Sequence, residues 1–559
     1  MKTRKALSLF AAAAMAFSLA SCGAPQADAR GSSGSTDETD VTAAFVFSDS
    51  GITVSGGNSG YDIDGTALTI ESAGTYTVSG SCADGSIKIK KGTVGVTLVL
   101  EGLTLTSADT APITCGKSTA VTILAAGGTK NTLTDSERNN DASYPDNSSA
   151  ENAVIKCKDG SSVTIGGSGT LNLTANGKNG IKSGQTTDED GEASLTIRDV
   201  TLDISAPVND AINAEQLLTI ESGVLTIAAG DDAIHCDLVM TIGGAGTDGP
   251  DINITESHEG IEAAELNICS GNISIISSDD CLNAANSDLS GYTFTMNISG
   301  GVINAYTSGG DGFDSNGDLT ISGGTVIVWT ANTADNQPLD ADGTITISGG
   351  TVLAAGGSGG MGISLEATQP CLFFGSSGSM GGQPGGFPGQ GGSSQTGDSD
   401  SSAAPETGTA PADMSVSSSV SIAAGDAVTI HDADGNTVYS GEALCDARYV
   451  VFSSADLTAD STYTLCVNGE SSGEATAQDG TVSTGMDGTG GQPSGTPGEP
   501  PEGFDGQLPD FPSGDRPEPP DGQPGERPSG APDGMAPDSS EQQSPTDSGS
   551  DSTDDGANG

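Results

Sequence analysis

The sequence predicts an all-β fold without a helical layer, and three observations carry that reading. A short phrase recurs, with an acid, a small residue, a branched apolar anchor, a polar residue and another small residue. It reads Asp210-Ala-Ile-Asn-Ala, Asp232-Ala-Ile-His-Cys, Glu259-Gly-Ile-Glu-Ala and Asp280-Cys-Leu-Asn-Ala. Between the copies lie short alternating β-branched runs such as Leu217 to Ile220, Val224 to Ile227 and Thr344 to Ile347, bounded by Gly, Asn, Asp and Ser. Nowhere does the apolar period of a helix appear.

The anchors fall at Ile155, Ile181, Ile212, Ile234, Ile261, Leu282, Phe313, Leu339 and Ile363, with a weaker copy at Ile113. Repetition on this scale fixes an architecture before any single element does. About three short strands fit in each period, and no helix does. The expected solution is a right-handed parallel β-helix, a solenoid whose turns absorb the drift in spacing; the hand follows from the crossover rule for parallel strands. A leucine-rich repeat lacks its Leu/Asn ladder here, and a propeller blade needs four strands in about 40–45 residues.

Taken in order, residues 1–22 read as a lipoprotein signal peptide. Lys2, Arg4 and Lys5 precede an apolar core from Ala6 to Leu19, and Leu19-Ala-Ser-Cys22 is similar to a bacterial lipobox, which implies lipidation at Cys22. No later stretch reaches the roughly 20 apolar residues of a membrane span. The expected localisation is therefore export, with a lipid anchor as the only membrane contact, facing outside. Residues 23–40 are a small, polar tether.

The solenoid is expected over residues 41–373, its first part serving as an N-terminal cap, because an exposed rung edge is an aggregation template. Thr93 to Leu105 reads as an early rung, and Asp135 to Asn152 as a long loop. Residues 374–413, rich in Gly, Ser and Gln, form a flexible insertion too poor in apolar side chains to pack. Order resumes over 414–484 as a C-terminal β unit, with Asp434-Gly-Asn as its hairpin signal. Residues 485–559, dominated by Pro, Gly, Asp and Ser, are expected to be a disordered tail.

A formal net charge of −57 excludes nucleic acid as a partner. An anionic polysaccharide is repelled as well unless cations intervene. Of ten cysteines, Cys115, Cys157 and Cys236 take the small inward slot that Ala214, Ala263 and Ala284 fill elsewhere, so they read as core filler. A bridge between Cys445 and Cys466 is open.

The chemistry lies in acidic columns. Two residues before the anchor stand Asn179, Asp210, Asp232, Glu259, Asp280 and Asp311; one residue earlier stand Asn209, Asp231 and Asp279; one residue after the anchor come Asn213, Glu262, Asn283, Asp314 and Asp340. Equivalent residues of stacked strands lie about 4.8 Å apart. Two carboxylates at that spacing repel by about 1 kcal/mol in water and roughly 3–4 kcal/mol at an effective dielectric of 20. Calcium, which takes six to eight oxygen ligands, relieves such a column. Asp231 and Asp232 with Asp210 below and Glu259 and Glu262 above frame one expected calcium site; Asp279 and Asp280 with Asp311 and Asp314 frame another. Turn capping is the competing reading of these acids.

Catalysis is not expected. Lys156, Lys158, Lys178, Lys182 and Arg198 precede the densest acidic zone, and His235 and His258 read as surface or turn histidines. Lys182 shares a column with Asn213 and His235, which keeps a polysaccharide lyase open. Paired Asp231-Asp232 and Asp279-Asp280 stand without the Gly-His-Gly and Arg-Ile-Lys elements of polygalacturonase-type hydrolases.

Gly74-Thr-Tyr-Thr-Val-Ser-Gly80, Val96-Thr-Leu-Val-Leu-Glu-Gly102, Asn131-Thr-Leu-Thr-Asp135, the Asp-Ala-Ile phrases and Val428-Thr-Ile430 with Asp434-Gly-Asn together resemble the exported carbohydrate-binding β-helix domain of cellulose-degrading clostridia. The resemblance runs from about Ala44 to Val467. It implies a calcium-containing domain of pectate-lyase-like shape that binds acidic plant polysaccharide, such as pectin or polygalacturonate, with cellulose a further ligand class. It carries the acidic role onto Asp210, Asp231, Asp232, Glu259, Asp279, Asp280 and Asp311. Aromatics make up only 4% of the chain and Trp329 is its one Trp, so acidic polysaccharide ranks above neutral glucan. Tyr292, Tyr306 and Trp329 could form a small sugar platform, but singly they read as packing or edge residues. Competing expectations are an adhesive or structural surface protein stiffened by calcium, and a calcium-dependent polysaccharide lyase.

Overall fold

A computed structural model describes residues 41–57, 59–331, 336–357, 364–375 and 420–483. The signal peptide with Cys22, the tether, the anchor at Ile363, residues 376–413 and the tail at 485–559 lie outside the described residues. The described residues are all-β: a 32-stranded, mostly parallel sheet and a separate four-stranded one.

Three parallel ladders run through the large sheet. In the first, the anchors face one another in Cα register from Leu68 through Ile87, Ile113, Ile155, Ile181, Ile212, Ile234, Ile261 and Leu282 to Phe313. In the second, Ile123, Ile165, Ile197, Ile220, Ile242, Ile268, Ile298, Ile321 and Ile347 do the same. The third carries Leu133, Leu173, Ile204, Ile227, Ile254, Ile275, Ala305, Val328 and Ala354. Side chains alternate across each strand, as in Val224–Ala229, so the apolar set of every ladder meets in one core. Burying one such Ile stabilises the fold by about 1.5–3 kcal/mol. Leu339 extends the first column without a strand: Phe313 N donates to Pro338 O at 3.2 Å, and the Leu339 side chain is fully buried.

The Ser-Gly-Gly phrases turn the chain between the second and third ladders. Gly324 shows why glycine stands there: its φ is +83°, and a Cβ would meet Gly301 O at 2.6 Å. The expected rung at Thr93 to Leu105 is matched, all but Thr93, by the strand Val94–Ser107. The cysteine slot is as expected, with Cys115, Cys157 and Cys236 buried and free.

Antiparallel pairing appears at both limits of the sheet. Val41–Ser48 pairs antiparallel with Gly51–Gly56. At the other limit Tyr449–Ser454 pairs antiparallel with both Thr351–Gly356 and Cys371–Gly375. The small sheet consists of Ala427–His431, Thr437–Glu442, Thr462–Val467 and Glu470–Thr476. Its hairpin turns at Asp432, whose Oδ1 accepts from Asp434 N and Asn436 N, with Gly435 at φ +84°.

Two readings that the sequence left open are decided here. Trp329 cannot serve as a sugar platform: it is 0% exposed and packs in a second core with Leu353, Phe374, Val428, Phe452 and Leu465. The reason is the C-terminal β unit, whose apolar side chains cover that part of the third ladder. Cys445 and Cys466 are free thiols rather than a bridge, since Cys445 is buried while Cys466 sits on an antiparallel pair opposite Thr429 and Ser471.

Candidate functional site

Backbone hydrogen bonds hold the acids in line along the first ladder. Gly180 N donates to Asp210 O, Ala211 N to Asp232 O, Ala233 N to Glu259 O, Gly260 N to Asp280 O and Cys281 N to Asp311 O, all at 2.9–3.2 Å. Small residues occupy the donor positions because the next repeat's carbonyl lies against them. The column after the anchor is fixed by Cα register: Lys156, Lys182, Asn213, His235, Glu262, Asn283 and Asp314. Two polar columns therefore flank a buried apolar one.

The structure sorts the candidate ligands into four groups. Oxygens of Asp210, Asp231 and Asp232 lie within 4.8 Å of one another, as do those of Asp311, Asp314 and Asp340. His258, Glu259 and Asp279 form a third group, and Asp232, His235 and Glu262 a fourth. The first expected site is thus divided: Asp231, Asp232 and Asp210 converge, while Glu259 turns toward Asp279 and Glu262 toward His235. The second is divided as well. Asp311 and Asp314 converge with Asp340, Asp280 Oδ1 accepts from Asp311 N at 2.6 Å, and Asp279 faces His258.

Burial and like charge act together on these carboxyls. Burial, then the Asp232 charge, pushes Asp210 up to about 6. Burial and then Glu262 take Glu259 to about 8. Asp280 rises to about 7 through burial and the charges of Asp314, Asp279 and Asp311, against the Asp311 N–H, which favours its ionised form. Asp314 rises to about 6 through burial and then Asp340 and Asp342. Amides separate some of the charges: Asn213 Nδ2 donates to Asp210 Oδ2 at 2.6 Å and Asn283 Nδ2 to Glu259 Oε2 at 3.0 Å. Asn283 is 8% exposed, and its Oδ1 has no hydrogen-bond partner.

At the other end of the column, Lys182 Nζ donates to Asn213 Oδ1 at 2.8 Å and pairs with Glu215 at 3.1 Å. Lys156, in register beside it, has its pKa lowered by burial and by the Lys182 charge. His235 is not a surface histidine. Its side chain is 19% exposed, with Asp232 Oδ2 at 2.9 Å, Asp237 Oδ1 at 3.0 Å and Glu262 Oε2 at 3.3 Å. Burial disfavours the charged ring, but these three carboxylates outweigh it and raise the pKa. Its place between Asn213 and Glu262 in a wholly polar column was the signal that could have found it. Asp340 and Asn283, also missing from the expected ligand sets, stand in the same column.

The profile of the family described as carbohydrate-binding domain-containing protein matches residues 64–360, more than half of the chain. The chain belongs to this carbohydrate-binding family. A carbohydrate-binding domain-containing protein of Acetivibrio thermocellus is 34% identical over 143 residues, covering 25% of this chain and 48% of that protein. The chain thus spans about half the length of this curated relative. The solved structure of the polysaccharide lyase-like protein from C. thermocellum, a gadolinium derivative, is similar at a TM-score of 0.33 and 24% identity, covering 55% of this chain and 97% of that one. Every acid of the four groups falls within the matched residues of the carbohydrate-binding family.

Proposed function

We propose that the chain binds acidic polysaccharide of the pectin or polygalacturonate class through calcium held by the stacked carboxylates, without catalysing a reaction. The single observation that carries this is Asn283. A buried amide oxygen without a donor stands in register between Glu262 and Asp314, where an oxygen-seeking cation is the partner that suits it. The raised pKa values of Asp210, Glu259, Asp280 and Asp314 support the same reading, since a column this crowded favours cations. Asp210, Asp231 and Asp232 would hold one ion, and Asp311, Asp314 and Asp340, beside Asp280, another; Glu259 and Asp279 add oxygens between them. Bound calcium supplies the positive charge that joins protein carboxylates to sugar carboxylates. Membership of a carbohydrate-binding family supports the polysaccharide partner.

In this reading the three ladders are the faces of a right-handed parallel β-helix. The protein works at the cell surface, exported by residues 1–22 and lipid-anchored at Cys22. The competing lyase reading rests on Lys156 and Lys182 in the same column; Lys182 is already engaged by Asn213 and Glu215. The purified chain is tested by pull-down on insoluble polygalacturonate, in calcium and in EDTA, with the supernatant followed in the ultraviolet. Retention in calcium alone, without absorbing products, is expected. Retention in neither condition would sink the proposal, and unsaturated products would replace it with the lyase.

A further inference from the structure

We infer that Asp232, His235 and Glu262 form a site for a first-row divalent transition ion of the zinc class, distinct in chemistry from the all-oxygen calcium groups. The Nδ1 atom of His235 faces two carboxylate oxygens at once, Asp232 Oδ2 at 2.9 Å and Glu262 Oε2 at 3.3 Å. One ring N–H lies in the ring plane and serves one acceptor well, so a single proton does not account for both. A metal between the three atoms does. Ligands about 2.0–2.2 Å from zinc stand roughly 3.0 Å apart at right angles and roughly 3.5 Å apart at a tetrahedral angle; the separation to Glu262 falls in that range and the one to Asp232 lies at its lower edge.

The other ring nitrogen supplies an independent observation. Nε2 faces Asp237 Oδ1 alone, at 3.0 Å. A carboxylate on the far nitrogen is the arrangement that fixes the tautomer and orientation of a metal-ligating histidine. The nitrogen also decides the class of ion: imidazole suits zinc and its neighbours in the transition series, whereas calcium takes oxygen. The ladder builds the site from adjacent repeats, since His235 and Glu262 are Cα partners and Asp232 precedes His235 in its own turn. Asp232 faces the ring with one oxygen, Oδ2, so its second oxygen remains for Asp210 and Asp231.

The test uses the full chain, free of any affinity tag, stripped with EDTA and with its thiols alkylated. It is titrated with Co²⁺ while visible absorption and heat are recorded. The chain has three histidines, so a nitrogen-dependent signal can be assigned by substitution. One Co²⁺ equivalent with ligand-field bands is expected, displaced by stoichiometric Zn²⁺ and retained in excess Ca²⁺. His235→Gln removes the bands while calcium-dependent polysaccharide retention persists, which separates this inference from the proposed function. Asp237→Asn, which keeps all three ligands, weakens Co²⁺ binding by about 10–100-fold. Absence of the bands in the parent, or bands unchanged by His235→Gln, would overturn the site and leave His235 an imidazolium paired with carboxylates.

Discussion

Replacing Asp280 by Asn removes a charge and keeps the shape, including an oxygen to accept from Asp311 N. The Asp280 carboxyl stands at about 7 in the fold against its ordinary 3.8. The folded state therefore holds its proton more tightly than the unfolded chain. Between those two values the unfolded chain binds fewer protons, so metal-free stability falls as pH rises through the window. Roughly three pH units at about 1.4 kcal/mol each give a ceiling of about 4 kcal/mol, and solvent screening of a partly exposed side chain brings this to about 2 kcal/mol. In EDTA at pH 8, Asp280→Asn should thus be more stable than the parent by about 2–4 kcal/mol, and the advantage should vanish near pH 4. Thermal unfolding followed by circular dichroism at both pH values reads this directly. In calcium the order reverses, because the parent gains a ligand charge that the variant lacks. A variant less stable than the parent at pH 8 in EDTA would show that the carboxylate stabilises the metal-free fold, and the argument from crowding would fail.

Further outcomes follow from particular side chains. Trp329→Ala should cost about 3–5 kcal/mol through the cavity left beneath the C-terminal unit, and native emission from this one Trp should be blue-shifted until the protein unfolds. Ile234→Ala, in the middle of the first ladder, should cost about 2–5 kcal/mol in denaturant titration, with secondary structure retained. Gly310→Ala drives a Cβ to 2.5 Å from the Asp279 backbone carbon as well as against Asp279 Oδ1 and Asp280 Oδ1, and should lower the melting temperature in EDTA and in calcium alike. Brief alkylation of the native protein should label Cys466 ahead of Cys115, Cys157, Cys236, Cys281 and Cys371, as peptide mass spectrometry would show.

The ladders were legible because their pattern is local. An acid, a small residue and a branched anchor recur in one order, and seven anchors from Ile155 to Phe313 are Cα partners in sequence. The acids were legible as columns for the same reason. Their division into groups was not, because it depends on how long side chains fan out between repeats. Glu259 and Glu262 belong to one repeat, yet one turns to Asp279 and the other to His235. His235 was misjudged because a lone histidine acquires meaning only from the carboxylates of its own turn and of the next repeat. The partners of Trp329 were illegible for a different reason: beside Leu353 and Phe374, the side chains that bury it come from Val428, Phe452 and Leu465, about 100 or more positions later, and no period connects them. Asp340 was legible as a member of the column after Leu339, but its grouping with Asp311 and Asp314 was not, because its segment continues the column without strand pairing.

The antiparallel pairings at the two limits of the large sheet bear on how the molecule behaves when crowded. A row of parallel strands is a template without a natural stop, because the last strand offers the same unpaired groups as every strand before it. A second copy could seed on that row, and fibres would follow. Here Tyr449–Ser454 runs the opposite way across Thr351–Gly356 and Cys371–Gly375, and Gly51–Gly56 does the same for Val41–Ser48. At these strands a repeat from another molecule meets reversed polarity, with the parallel register already taken. Such a chain can be packed densely at a surface and still remain a set of separate molecules.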